Sequence, residues 1–127
     1  MKLRIKGDSV RFRVAPSEVN LLLRKGKLTS QVRFSLRPRQ SLLYTLVLDE
    51  NIEKAVVSFT GSEIIARLPQ KKAAHWASTD AVGISAEMEL GGASSLSLLV
   101  EKDFACLDLS DKDNEDTYPN PNAEQVC

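Results

Sequence analysis

The first fourteen residues hold two short stretches in which apolar and charged side chains alternate, Lys2-Leu3-Arg4-Ile5-Lys6 and Val10-Arg11-Phe12-Arg13-Val14. Alternation with period two belongs to a strand with one buried face, and Gly7-Asp8-Ser9 between the stretches supplies turn chemistry. The segment therefore predicts a β-hairpin. Ala15-Pro16-Ser17-Glu18 then opens a helix, because proline at the first turn lacks only an N–H that would be unpaired there. Val19, Leu22 and Leu23 fall on one helical face, and Gly26 can take the left-handed conformation that ends the helix. A third strand is expected from Leu28 through Val32, Phe34 and Leu36, until Pro38 breaks it. Residues 41–48 predict a fourth.

The same pattern recurs after residue 54. Strands are expected over 55–59 and 64–68, with Gly61-Ser62 as the turn between them. Pro69 opens a helix carrying Ala73, Trp76 and Ala77, which Asp80 helps to close. Residues 82–90 and 96–100 predict the last two strands, joined at Gly91-Gly92. A gap-free offset of 54 residues pairs Leu3 with Val57, Ile5 with Phe59, Val10 with Ile64, Val14 with Leu68, Leu22 with Trp76, Leu28 with Val82 and Leu46 with Val100. A ββαββ unit therefore appears twice. Close turns favour antiparallel pairing. The expected fold is α+β, mainly β: a small antiparallel β-barrel built from two ββαββ repeats, with two short helices outside it. The domain spans residues 1–102 (units 1–54 and 55–102) and is followed by an acidic tail over 103–127.

Charge changes this picture more than composition does. The 127 residues carry 17 Lys/Arg and 17 Asp/Glu, 43% are apolar and 27% charged, and the balance is that of an ordinary globular chain. The zero total conceals a division. Residues 1–54 hold 12 Lys/Arg against 5 Asp/Glu, and residues 55–127 hold 5 against 12. Lys2, Arg4 and Lys6 alternate with apolar positions and so share the outer face of the first strand. Arg11 and Arg13 do the same on the second, and Arg33 joins them if the third strand is adjacent. This is a candidate anion- or partner-binding surface, because arginine pairs bidentately with phosphate. No aromatics interleave, so stacking on single-stranded bases is not suggested, and a pI near 6.6 favours the alternative of a solvated sheet face over nucleic-acid binding.

Two resemblances follow from these residues. Gly7, Val14, Pro16, Leu22, Gly26 and Leu28, echoed by Gly61, Leu68, Pro69, Trp76, Asp80 and Val82, resemble the swapped-hairpin barrel unit of AbrB-like transition-state regulators. That resemblance implies a dimer binding DNA through basic residues on the barrel. Lys2-Leu3-Arg4-Ile5-Lys6-Gly7, the stretch from Val100 to Leu107, and Asp116-Thr117-Tyr118-Pro119-Asn120-Pro121 resemble segments of a family of small uncharacterised bacterial proteins. This second resemblance implies a free-standing protein and no particular chemistry.

Catalytic patterns are sparse. There is no Gly-x-Ser-x-Gly or phosphate-cradling loop, and His75 is the one histidine. Glu87 and Glu89 share a strand face but more commonly face solvent there, so enzyme is the weakest class. Cys106, Cys127 and His75 are candidates for a metal or thiol-redox site, which would need a fourth ligand for zinc. Cys106 between Ala105 and Leu107 also reads as a small core residue. Asp111 to Glu115 lacks the glycine and terminal glutamate of a calcium loop. Alternatively the acidic tail could lie on the basic first unit, with Tyr118 as its anchor. No cofactor is expected. The start of the chain has no apolar signal core, so the expected compartment is the cytoplasm. A protein partner or homodimer is favoured over nucleic acid, and no membrane partner is expected.

Overall fold

The computed structural model describes residues 1–105 and 116–119. Its elements run β1 (Lys2–Ile5), β2 (Ser9–Val14), α1 (Pro16–Lys25), β3 (Lys27–Arg33) and β4 (Ser41–Asp49). They continue with β5 (Val56–Phe59), β6 (Glu63–Pro69), α2 (Gln70–Ser78), β7 (Gly83–Gly91) and β8 (Ser94–Lys102). The order is mainly β with two helices, as the periodicity predicts.

The pairing departs from the expectation. The strands make two four-stranded sheets, β1-β2-β8-β7 and β3-β4-β6-β5, and neither closes into a barrel. Each sheet joins a hairpin from the first half of the chain to one from the second. Its central pair is parallel: β2 runs beside β8 and β4 beside β6. The short turns constrain only the hairpins, and β2 with β8 and β4 with β6, which no short turn joins directly, are free to align either way. Where β5 approaches β7, the Val57 N–H donates to the Met88 sulfur at 3.1 Å instead of entering a ladder, so the two sheets stay separate there.

The registers of the two sheets correspond. Lys2 opposes Arg13 as Val56 opposes Arg67, and Ser9 lies opposite Ser97 as Glu63 lies opposite Leu43. The 54-residue offset holds for these strands and shifts by two at β7. Leu28 opposes Leu46 while Ile84 opposes Val100, so Ile84 rather than Val82 is the counterpart of Leu28. The longer α2–β7 connection absorbs those two residues.

Both sheets and both helices bury one core. Phe12, Val14, Leu22, Leu46, Leu68, Trp76, Leu98 and Val100 are essentially inaccessible to solvent, and each large side chain contributes roughly 1.5–3 kcal/mol of transfer free energy. Trp76 also donates from its indole to the Val82 carbonyl at 3.0 Å. Gly26 ends α1 in the left-handed region at φ 74°. Strand β3 stops at Arg33, short of the expected Leu36. The Phe34 N–H donates to the Gln40 carbonyl at 2.8 Å, and the chain turns back into β4 there.

Candidate functional site

Hairpin β1–β2 aligns its cations in pairs, Lys2 against Arg13 and Arg4 against Arg11. Lys6 follows at the turn, where its N–H donates to the Ser9 carbonyl at 3.1 Å. Lys2, Arg4, Arg11 and Arg13 lie on one sheet, and Lys6 stands just past the end of β1. Arg33 does not join them. Strand β3 belongs to the other sheet, where Arg33 lies opposite Ser41. Sequence adjacency could not reveal this, because β2 takes its second neighbour from the far end of the chain.

That neighbour, β8, divides the cations into two groups. Glu101 accepts from Arg13 Nε at 2.9 Å and lies 3.7 Å from Arg11 Nε, and Asp103 takes Lys2 Nζ at 2.9 Å. One end of the face is thus neutralised by carboxylates from the second half. At the other end Arg4 and Lys6 have no carboxylate within ion-pair distance among the described residues, and Arg11 is held only at the longer distance. Arg4, Lys6, Ser9 and Arg11 line a depression of about 130 Å³. Pockets that hold a whole ligand measure roughly 300–1,000 Å³, so this one suits a single anionic group. Beside it, sharing Ser9 and Arg11, lies a wider hollow of about 440 Å³ that also takes in Ser85, Glu87, Ser97 and Leu99.

The equivalent surface of the second sheet is built differently. Val56, Ser58 and Thr60 stand where the first has Lys2, Arg4 and Lys6, and Ile65 stands where it has Arg11. The centre is also filled. Thr45, wholly buried, donates to Glu63 Oε2 at 2.6 Å and shares a 3.1 Å hydrogen bond with the Thr29 hydroxyl. In the first sheet those positions are Leu99, Ser9 and Ser85, and the surface stays open.

Of the remaining candidates, His75, Glu87 and Glu89 fall among the described residues. His75 is exposed on α2, and its carbonyl accepts from the Thr79 hydroxyl at 2.7 Å. Cys106 and Cys127 lie outside the described residues, as does the acidic run between Asp108 and Glu115. Among the described residues no three His, Cys, Asp or Glu side chains gather as a metal site. Glu87 and Glu89 are both exposed on β7, and Glu87 accepts from Ser97 Oγ at 3.4 Å.

The sequence offers the basic first unit as the surface under the acidic tail, with Tyr118 as its anchor. Tyr118 forms a bridge with Phe104, its N–H donating to the Asp103 carbonyl at 2.7 Å and its carbonyl accepting from Ala105 N–H at 2.5 Å. Its ring meets Phe104 edge-on and lies 5.3 Å from Lys102 Nζ, while Asp116 accepts from the Ser17 hydroxyl at 2.5 Å. The segment therefore rests on the end of β8 and the start of α1, away from Arg4 and Lys6. Lys102 was the missed residue. It is buried, and it donates to the Thr79 carbonyl at the end of α2 at 2.6 Å.

With the hairpin surface, its carboxylate clamp and the Tyr118 bridge described, comparison adds one positive finding: a family pattern covers residues 1–122. The chain belongs to DUF7009, a family of unknown function. The DUF7009 match takes in both halves of the fold and the Tyr118 segment, so it extends well past the first hairpin. No curated protein and no solved structure matches the chain. No described helix of this DUF7009 chain is long and apolar enough to cross a membrane.

Proposed function

We propose that the chain is a non-enzymatic binding module whose ligand offers a phosphate group to Arg4, Lys6, Arg11 and the Ser9 hydroxyl. One observation carries this reading. The second sheet forms the same hairpin with Ser58, Thr60 and Ile65 in those positions, so the fold does not require cations there. Among the described residues Arg4 and Lys6 are also left without a carboxylate, although Glu101 and Asp103 neutralise their neighbours. Two guanidinium groups and an ammonium around a small depression suit an oxyanion.

We read the two halves as products of an internal duplication, on the strength of the matched registers, and residues 1–102 as one domain of a cytoplasmic bacterial protein. The AbrB-like reading is weaker. With Lys2 and Arg13 occupied, only three cations of the hairpin face remain for a DNA backbone, too few for a strong footprint there.

The test is titration with O-phosphoserine or inorganic phosphate, followed by amide chemical shifts. Arg4→Ala combined with Lys6→Ala is expected to weaken binding about a hundredfold, since each removes a hydrogen bond to a charged group worth roughly 1.5–3 kcal/mol. Arg13→Ala, which removes a guanidinium already held by Glu101, should change affinity little. Equal loss in both variants would indicate diffuse charge attraction and overturn the site.

A further inference from the structure

The β3–β4 connection is the most exposed apolar feature among the described residues. Phe34 is 72% and Leu36 94% accessible, and Val32 at the end of β3 is 40% accessible. A side chain that stands almost fully in water is at a projecting tip and packs against nothing of its own chain. The loop is nonetheless ordered by its own hydrogen bonds. Phe34 N–H reaches the Gln40 carbonyl at 2.8 Å, Gln40 N–H the Arg37 carbonyl at 3.0 Å, and Arg37 N–H the Ser35 hydroxyl at 3.0 Å. Arg33, Arg37 and Arg39 flank the two apolar tips and are exposed, and none is ion-paired among the described residues. No Asp or Glu occurs between Glu18 and Asp49, a span that carries Arg24, Lys25, Lys27, Arg33, Arg37 and Arg39.

The other hairpin supplies a contrast. Strands β7 and β8 are joined by the tight Gly91-Gly92 turn, with Leu90 exposed but no cation beside it. The protruding basic loop is therefore a property of one half only.

We propose that this loop docks the protein on an anionic lipid surface, Phe34 and Leu36 entering the interface and the arginines meeting the head groups. Charge complementarity selects anionic lipid over neutral lipid, because each basic side chain near such a surface adds attraction. Shape favours a bilayer over a protein groove. Projecting side chains need a matching pocket on a folded partner, whereas a bilayer yields around them. The contact is peripheral, so the lack of a membrane-crossing helix does not bear on it.

The full-length chain is to be sedimented with vesicles of phosphatidylcholine alone and of phosphatidylcholine mixed with phosphatidylglycerol. Binding is expected only to the mixed vesicles, and added salt should reverse it. Phe34→Ser combined with Leu36→Ser should weaken it about tenfold or more while leaving the unfolding transition unchanged, because both side chains are already exposed. Phe34→Trp should show a blue-shifted emission on mixed vesicles, against a constant background from the buried Trp76. The proposal fails if the native chain ignores the mixed vesicles or the double serine variant binds as well as the native chain. It also fails if the Phe34→Trp signal responds to an acidic peptide and not to lipid. Arg4→Ala with Lys6→Ala should retain vesicle binding, which separates this surface from the phosphate site; loss there with the loop variants intact would overturn it.

Discussion

Thr45 is a polar side chain with no exposure, on the strand face opposite the core. Its hydroxyl donates to Glu63, so the proton in its contact with Thr29 comes from Thr29. Thr45→Val would keep the shape but leave the carboxylate one donor short and the Thr29 hydroxyl without its acceptor. A loss of about 1–3 kcal/mol is expected, measured by urea unfolding, and Thr45→Ser should recover much of it. Nothing in the local sequence marks this residue, because Leu43-Tyr44-Thr45-Leu46 reads as an ordinary strand. Its role depends on Glu63 and Thr29, brought together by two separate pairings. The cations of the first hairpin were legible for the opposite reason: alternation alone assigns Lys2, Arg4, Arg11 and Arg13 to one face.

Two glycines illustrate the element scale. Gly26 sits at φ 74° after α1, and its N–H donates to the Leu22 carbonyl at 2.7 Å. An added Cβ would meet no neighbouring atom, so Gly26→Ala should cost only the left-handed backbone strain, about 1 kcal/mol. Gly83 has no such conformation. A Cβ there would come 2.7 Å from the Val100 carbonyl oxygen, a backbone atom held in the β7–β8 ladder. Gly83→Ala should destabilise more, by about 1–3 kcal/mol, and thermal melts of the two variants should rank in that order. Gly26 announces itself by following a helical pattern. Gly83 shows only when its partner strand is in place, and the same is true of the end of β3, which sequence alternation carried on to Leu36.

For the whole molecule, the exchange of hairpins between halves joins the basic start of the chain to carboxylates from its end. It also brings Tyr118 against Phe104 and Lys102. Burial pushes the Tyr118 phenol above its ordinary value, with the nearby Asp116 carboxylate adding to the shift. A phenol raised in the folded state holds its proton more tightly there than in the unfolded chain. Its contribution to stability is therefore complete below the ordinary phenol value of 10.0 and is lost as pH rises through the higher folded value. Absorbance titration of tyrosinate should resolve a late-ionising group, absent in Tyr118→Phe, and protection of the segment from proteolysis should fall over the same interval. Titration of Tyr118 at the ordinary value would show that its phenol is not buried in the folded chain.

The alternation, the turn glycines and the two helix-opening prolines were sufficient to determine the number and order of strands and helices, though not the end of β3, and the charged face of the first hairpin. These are local properties, set by backbone geometry within a few residues. Only the tertiary structure decided which strands pair. It made the central pairs parallel, left two open sheets where a barrel was expected, sent Arg33 to the other sheet and gave Lys2 and Arg13 carboxylate partners. Pairing between strands far apart in sequence depends on how apolar faces from distant segments share one core. The local pattern can be satisfied by several such arrangements, and burial of Phe12, Leu46, Trp76 and Val100 together selects one.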